Sequence, residues 1–576
     1  MSSYNWQHLS GSYSLSQFVN AIIIAGVGLA LWLSCLTIHR IFLHPFSKHP
    51  GPLLAKFSGL PVLYHAYKGD FHHYIFRLHA SYGETVRYSP NKISINRVEA
   101  LNGECASKTV PKPDSEAADM TRTSMDSTRT NVFNTADKEE HRRKRRIMNK
   151  AFSAKALPDY APFILSKVDE LSVKLNGGQP PADNGKWRTF NMADEVNYLM
   201  LDIMGGLCFG EAFGFVAGKG TDMMANVHDR AVRIYVVGQE PLLKRLSLDR
   251  LLFPRLSKAA TALGQYTRYY TEKRIKQRND VEADQEAVRK RGYEDILAHL
   301  INNKDDETGS IYSPDELLGE ATLLMMAGSD TSTTAINTTL FYVVNHPRVL
   351  RKLERELSRC FPALEDILPG TAENCRYLRA CLDEAMRLCP SVPSSIPRVV
   401  GAGGAPVLGE HVPAGLWVSV PHFTLFRNAR YFDRPHDFVP ERWIVSDDDD
   451  GDGDGDGDGG GGDGHDDKYH HDYTAEDVKR QQAAFQPFSL GPRHCVARSL
   501  ALREMTFALA RLFYQFDHEA VPGSGRWVGS LPGVDTRGSH FVHDQRDVFT
   551  SLETGPEVRL KPKVQARRSS VQGKEG

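Results

Sequence analysis

The stretch Phe488-Ser489-Leu490-Gly491-Pro492-Arg493-His494-Cys495-Val496-Ala497 decides how this chain is read. Glycine and proline make a loop that presents one cysteine. A helix is predicted to begin at about Val496, with Leu502, Met505, Leu509 and Leu512 as its apolar stripe. At a helix N-terminus the macrodipole favours a thiolate, and Arg493 adds positive charge. Such a thiolate is either a nucleophile or a soft metal ligand. The competing reading is a buried structural cysteine.

Working outward, the 576 residues are 41% apolar and 24% charged, enough for a large buried core and too apolar for a disordered chain. The eight cysteines include no C-x-x-C, which excludes a zinc knuckle or disulfide framework and fits a reduced, cytosol-facing compartment. Net charge is −1, but residues 447–467 carry 11 Asp and no Lys or Arg, so the remainder stands at +10. A basic body suits an acidic protein partner or an anionic membrane surface; the acidic segment could equally balance solubility.

From Phe18 to Ile38 run 21 uncharged, mostly apolar residues, long enough to span a bilayer. No Lys or Arg precedes Arg40, and the apolar stretch is longer than a signal peptide's, so a retained anchor at 18–38 is favoured over a cleaved leader. Arg40 and Lys48 follow it, which predicts residues 1–17 on the lumenal side and the body in the cytosol. Residues 39–52, rich in His and Pro, read as a stiff hinge. The catalytic body is placed at 53–563, with a disordered Asp/Gly-rich insertion at 446–472 and a polar tail at 564–576. Asp452, Asp454, Asp456, Gly457 and Asp463 have EF-hand-like spacing, but the terminal Glu and flanking helices are missing.

Within the body, residues 60–100 read as a helix and then short strands, 103–136 as a long loop, and Asp137 to about Leu300 as mostly helical with a break at 177–186. Ser313-Pro314-Asp315-Glu316 opens a helix that can run to about His346, on the order of 50 Å. Further helices reach about Arg359 and span Asn374 to Leu388, and short strands follow between Pro397 and Val420. The fold class is mainly α with a small β part.

Four other constellations stand out. Glu384 and Arg387, at i and i+3, share a helix face and can pair; a surface pair would contribute little. Pro440-Glu441-Arg442-Trp443 supplies another arginine. In Ala327-Gly328-Ser329-Asp330-Thr331-Ser332, Gly328 costs the helix stability and could open a groove; the plain alternative is a polar, solvent-facing side of the helix. The run His141-Arg142-Arg143-Lys144-Arg145-Arg146 alone looks like a nuclear-localisation or nucleic-acid patch.

Together these motifs resemble the cytochrome P450 family, over nearly the whole chain after the anchor. Phe488, Gly491, Arg493 and Cys495 match its Phe-x-x-Gly-x-Arg-x-Cys-x-Gly loop, with Ala497 in place of the last Gly. The resemblance implies the P450 fold behind one N-terminal transmembrane helix. It implies Cys495 as axial ligand of the iron in heme b (iron-protoporphyrin IX), with Phe488 and Gly491 shaping the loop and Arg493, Arg145 and Arg398 at the propionates. His141 stands where the family's Trp-x-x-x-Arg has Trp. Glu384, Arg387 and Arg442 would form a buried structural triad. Thr331 would hydrogen-bond the oxygen being activated, and Asp330 would help supply protons. Ala327, Val392, Ser394 and Ser395 would line the substrate site. The remaining basic residues of 141–146 would face outward toward an acidic reductase.

The hinge and motif arrangement resemble fungal endoplasmic-reticulum members, many of which serve secondary metabolism. The resemblance therefore implies a membrane-anchored monooxygenase acting on a small apolar substrate, with electrons from NADPH through NADPH–cytochrome P450 reductase, cytochrome b5 as a further donor, and no nucleic-acid partner. A heme–thiolate isomerase or dehydratase is the alternative enzyme, although such enzymes tend to lack the threonine present here as Thr331. A non-catalytic heme sensor or a basic nucleic-acid-binding protein is the third reading.

Overall fold

The computed structural model describes residues 15–101, 130–178, 186–220, 223–240, 242–394, 396–446, 472–526, 532 and 542–563. Helix α1 (Leu15–Ile38) is apolar and exposed along its length, and with its continuation it is long enough to cross a membrane. The hinge expected over 39–52 is in its first third helical: His39–Leu43 continues as a π-helical turn, because the first proline comes only at Pro45. Arg87 fastens this stem to the body. Its buried guanidinium donates to the carbonyl of Arg40 at 2.8 Å and to that of Pro90 at 2.8 and 3.1 Å.

The body is helical with small sheets. Helices α2 (Leu53–Phe57), α3 (Leu60–Lys68) and α4 (Phe71–Tyr82) precede β1 (Thr85–Ser89) and β2 (Lys92–Ile95). Then come α5 (Lys138–Ala151), α6 (Leu157–Leu175), β3 (Arg188–Asn191), α7 (Met192–Phe209), α8 (Met223–Gln239), α9 (Pro254–Asn279), α10 (Val281–Arg291) and α11 (Ile296–Asn302). The long α12 (Pro314–Val344) is followed by α13 (Pro347–Cys360) and α14 (Arg376–Leu388). Strands β4 (Arg398–Val399), β5 (Ala405–Val407), β6 (Glu410–Val412) and β7 (Trp417–Ser419) lead to α15 (Ala475–Ala484) and α16 (Arg498–Gln515). The chain ends in β8 (Phe516–Ala520), the β9–β10 hairpin (Gln545–Val548 and Thr550–Glu553) and β11 (Glu557–Pro562). One sheet has the order β1-β2-β7-β4, with β2 and β7 parallel; a second has β3-β11-β8. The helix expected from Val496 starts two residues later, at Arg498. The acidic insertion, apart from its end residues 446 and 472, the tail at 564–576, residues 102–129 of the long loop and Ser395 lie outside the described residues.

The 31-residue α12 is the axis of the body. Its start is set as the sequence predicts: Ser313 Oγ accepts from the Glu316 N–H at 3.3 Å, Glu316 Oε2 accepts from the Ser313 N–H at 2.8 Å, and Pro314 occupies the first turn. Helices α7, α9, α14 and α16 pack against it. From Leu317 to Val344 every residue is buried except Ala327, Gly328 and Thr331.

Beside α14 lies a fully buried ion triad. Arg387 Nε and Nη2 each donate to the Glu384 carboxylate at 2.8 Å, and Arg442 Nε donates to its Oε1 at 3.0 Å. The Val439 N–H and Trp443 Nε1 complete the carboxylate's shell at 2.9 and 3.0 Å. The spare guanidinium donors go to the carbonyls of Phe426, Pro435, Asp437, Asp433 and Arg434 and to Gln481. Burial opposes the charge on Glu384, but the two arginines overcome it and hold its pKa below the usual range.

Removing the shared anion strands two buried cations. Glu384→Ala is therefore expected to lower unfolding stability by roughly 3–5 kcal/mol, read from chemical denaturation; a loss below about 1 kcal/mol would count against the triad's weight. Because the folded pKa is depressed, this stability is present above the ordinary Glu range. It is lost as pH falls through the lower folded value.

Candidate active site

The cysteine loop is held from both sides. Gly491 adopts φ +73°, a left-handed turn that a side chain would strain, and the Cys495 N–H donates to the Phe488 carbonyl at 2.9 Å. Together they close the loop beneath Cys495, three residues ahead of α16. Cys495 is accessible yet recessed. The surrounding protein raises its thiol pKa, while the Ala497 N–H, Arg145 and Arg498 act in the opposite direction and stabilise the thiolate.

Three of the predicted arginines gather around this loop. Arg145, on α5, donates from Nη1 to the His494 carbonyl at 2.6 Å, from Nε to Asn149 Oδ1 at 3.0 Å, and lies 3.0 Å from His494 Nε2. Arg493 donates to the carbonyls of Thr135 and Ala136 at 2.6 and 3.3 Å. Burial and the like charge of Arg398, which begins β4, lower the Arg493 pKa to about 10. A buried and a half-buried guanidinium group that repel each other favour an anionic partner between or beside them. A soft anionic sulfur backed by an N–H, with these cations around it, fits an iron porphyrin carrying two carboxylates. His141 is buried on the same face of α5 as Arg145, four residues away.

Most of the rest of the basic run does not face outward. Lys144 is fully buried and pairs with Glu316 at 2.9 Å; Arg143 pairs with Glu140 at 2.6 Å and with Glu316; Arg146 forms a fork with Asp305 at 2.5 and 2.9 Å. Only Arg142, beside Glu139, is exposed. The expected outward basic surface is corrected here, because carboxylates from α5, α12 and the segment before α12 neutralise it.

On α12, Ala327, Gly328 and Thr331 form an opening one turn long. Gly328 lies close to α7: a Cβ there would meet Met204 Sδ at 2.6 Å, so a side chain would require that flexible thioether to move. Thr331 Oγ1 donates to the Ala327 carbonyl at 2.8 Å, and the Thr331 carbonyl accepts from Ser391 Oγ at 2.8 Å. Asp330, next in the chain, turns inward; Thr550 Oγ1 and Ser329 Oγ donate to it at 3.4 and 3.5 Å. Burial raises the Asp330 pKa to about 7. The solvent-facing reading of this segment is thereby excluded for Asp330.

Of the residues predicted to line the substrate site, Ala327 is open and Val392 half-buried, its carbonyl 3.0 Å from His422 Nδ1. Ser394 is buried and donates to Asp547 Oδ2, which turns its hydroxyl into a polar cluster. Tyr235 also donates to Asp547, at 3.1 Å, and His72 Nδ1 lies 3.9 Å away. Asp547 and Glu553 were not singled out from the sequence. The available signal was strand alternation, which puts Gln545 and Asp547 on one face of β9. A cavity of about 840 Å³ opens on the other side of the cysteine loop, lined by Arg376, Arg379, Asp383, Phe488, His494 and Arg498 among others; no residue of α12 lines it.

Residues 50–529 match the family described as Cytochrome P450. The chain is 30% identical to the cytochrome P450 monooxygenase AFT11-1 of Alternaria alternata, over 88% of this chain and 93% of that one. It is also 30% identical to the cytochrome P450 monooxygenase atnE of Emericella nidulans, over 96% and 99%. The averantin hydroxylase of Dothistroma septosporum is 30% identical over 88% of this chain and 87% of its own. With a matched domain that spans the cysteine loop, α12 and the ion triad, the chain belongs to the cytochrome P450 family and is a P450 monooxygenase.

Proposed function

We propose that this enzyme inserts one atom of dioxygen into a small apolar molecule during fungal secondary-metabolite biosynthesis. The observation that carries the reading is Thr331 in the one opening of the buried stretch of α12, with the buried Asp330 next to it in the chain. Named relatives such as averantin hydroxylase support hydroxylation as the reaction type. Heme b, when bound, supplies electron storage and O–O cleavage.

Cys495 would hold the iron as thiolate, with the Ala497 N–H and Arg145 tempering its charge. Arg398, Arg493 and Arg145 would take the propionates, while His141, Phe488 and Gly491 keep the surrounding loop and helix in place. The Thr331 hydroxyl donates to the Ala327 carbonyl of its own helix, which leaves its lone pairs open to accept a hydrogen bond in the opening. Asp330, with its pKa raised to about 7, is partly protonated at neutral pH and would be the acid that supplies protons there. Ala327 and Val392 would bound the apolar substrate.

Electrons would come from NADPH through NADPH–cytochrome P450 reductase, with cytochrome b5 as a further donor. Arg376 and Arg498, exposed around the outer cavity, would offer positive groups to an acidic donor surface, while Arg379 is paired with Asp383 at 2.9 Å. Helix α1 would anchor the protein in the endoplasmic reticulum membrane, with residues 53–563 in the cytosol.

Cys495→Ala is expected to abolish the red-shifted Soret band of the reduced carbon-monoxide complex; its retention would refute thiolate ligation by Cys495. Thr331→Ala should keep that band but send a larger share of NADPH electrons to hydrogen peroxide, by about tenfold or more; an unchanged peroxide share would remove Thr331 from proton handling. Since Asp330 is protonated below about pH 7 and ionised above it, coupling should fall as pH rises through that value. Asp330→Asn should flatten the profile, and a profile identical to wild type would show that another group governs it.

A further inference from the structure

Helix α13 ends at Cys360, and Cys375 stands immediately before α14. The end of one helix lies against the start of the other. Glu356, one turn before Cys360, uses both carboxylate oxygens to hold α14: Oε1 accepts from the Tyr377 N–H at 2.7 Å and Oε2 from the Leu378 N–H at 2.8 Å. Residues i and i+4 share a helix face, so Cys360 lies one turn further along the face that Glu356 presents to α14. There the thiols of Cys360 and Cys375 meet in a side-chain hydrogen bond.

Cys375 occupies the N-cap position of α14, yet its side chain caps nothing there; Glu356 does so instead. The backbone beside each sulfur is fastened. The Phe361 N–H donates to the Leu357 carbonyl at 2.9 Å, the Phe361 carbonyl accepts from the Tyr514 hydroxyl at 3.2 Å, and the Cys375 N–H donates to the Ala372 carbonyl at 3.2 Å. The connection between the two cysteines is tied to α16 by Arg503, bonded to Glu373 at 2.9 Å, and by Arg511, which donates to the Leu364 carbonyl at 2.7 Å. The thiols are therefore held together by a fixed frame. Cys360 is exposed and Cys375 is buried. An accessible thiol with a second thiol directly against it is the arrangement in which an oxidised sulfur is captured as a disulfide.

We propose that Cys360 and Cys375 are a peroxide-responsive dithiol that closes to a disulfide and clasps α13 to α14. Hydrogen peroxide is the oxidant. The Cys360 thiolate attacks one peroxide oxygen, the O–O bond breaks, and the departing hydroxide takes up the proton that Cys360 released; a sulfenic acid and one water result. The Cys375 sulfur then attacks the Cys360 sulfur. The S–S bond forms, the S–O bond breaks, and the hydroxyl leaves with the Cys375 proton as a second water. Two thiols are oxidised, one peroxide is reduced to two waters, and a dithiol reductant restores the pair. In a reducing compartment such a bond is transient and responsive to oxidant. Helix α14 carries Arg376 and Arg379 at the outer cavity and Glu384 and Arg387 of the ion triad, so the clasp stiffens the helix on which both depend.

The test uses the heme-loaded, full-length enzyme, first reduced and freed of reductant, then exposed briefly to dilute hydrogen peroxide. After the remaining thiols are alkylated and the protein digested, mass spectrometry should find Cys360 and Cys375 in one pair of disulfide-linked peptides. Dithiothreitol added before alkylation should remove the link. The midpoint of heat-induced heme release should rise by about 2–4 °C on oxidation and return on reduction. Cys360→Ser, a change at an exposed position, should abolish both effects while leaving the carbon-monoxide spectrum of the reduced heme as in wild type. Cys375→Ala should leave Cys360 as a sulfenic acid that dimedone traps, with no link. Cys360 recovered as the unoxidised thiol, or as sulfinic acid with no link to Cys375 in the wild type, would overturn the pair. A linked protein with an unchanged midpoint would overturn the clasp. Should C375A not retain heme, the comparison of wild type with C360S decides alone.

Discussion

One buried carboxylate, Glu384, ties together segments far apart in the chain. A fully desolvated anion is tolerable only when its lone pairs are all taken, and here two guanidinium groups, one backbone N–H and one indole N–H take them. Arg387 and Arg442 spend their remaining donors on carbonyls between Phe426 and Asp437. The irregular stretch from Phe426 to Trp443 has little regular structure of its own, so these bonds replace the ladder that would otherwise satisfy its backbone. The geometry is strict, because a shift of α14 would break several charged contacts at once. The cysteine loop borders the same region: Trp443, bonded to Glu384, lines the outer cavity together with Phe488.

A second fastening runs through the segment 131–136. Its Val132 N–H donates to Glu320 of α12 at 2.8 Å, the carbonyls of Thr135 and Ala136 accept from Arg493, and the Phe133 ring packs 5.8 Å from Phe549 beside the C-terminal hairpin. A short connection thus links the long helix, the cysteine loop and the hairpin that carries Asp547 and Glu553. The same logic governs the basic run of α5. Its charges look outward-facing as a string of letters, yet Lys144 and Arg146 are consumed by the carboxylates Glu316 and Asp305. A charge count along the chain says nothing about which charges cancel across helices.

The surroundings of Asp330 differ electrostatically from those of Cys495. Around Cys495 the protein gathers cations, while behind Thr331 it gathers carboxyls and removes water from them. Asp330 and Glu553 both have their pKa raised by burial, to about 7 and about 8. Groups in that range can give and regain protons near neutral pH, which a solvated carboxylate cannot do efficiently. Burial favours the protonated form at all three groups; at Cys495 the Ala497 N–H, Arg145 and Arg498 oppose it, whereas no cation does so at Asp330 or Glu553.

The sequence by itself determined the elements whose signals are local. Periodicity and the Ser313–Glu316 capping pattern placed α12 to within a few residues, the uncharged run marked α1, and loop chemistry singled out Cys495 ahead of α16. The pairing of Glu384 with Arg387 followed from i,i+3 geometry. What only the tertiary structure decided are relations between distant segments: Gly328 against Met204, Ser394 turned onto Asp547, the neutralised basic run, and Glu553 beside Asp330. These depend on which groups are brought together and stripped of water when the helices pack, and a one-dimensional pattern carries the first turn of a helix but not the neighbour that folding will place against it.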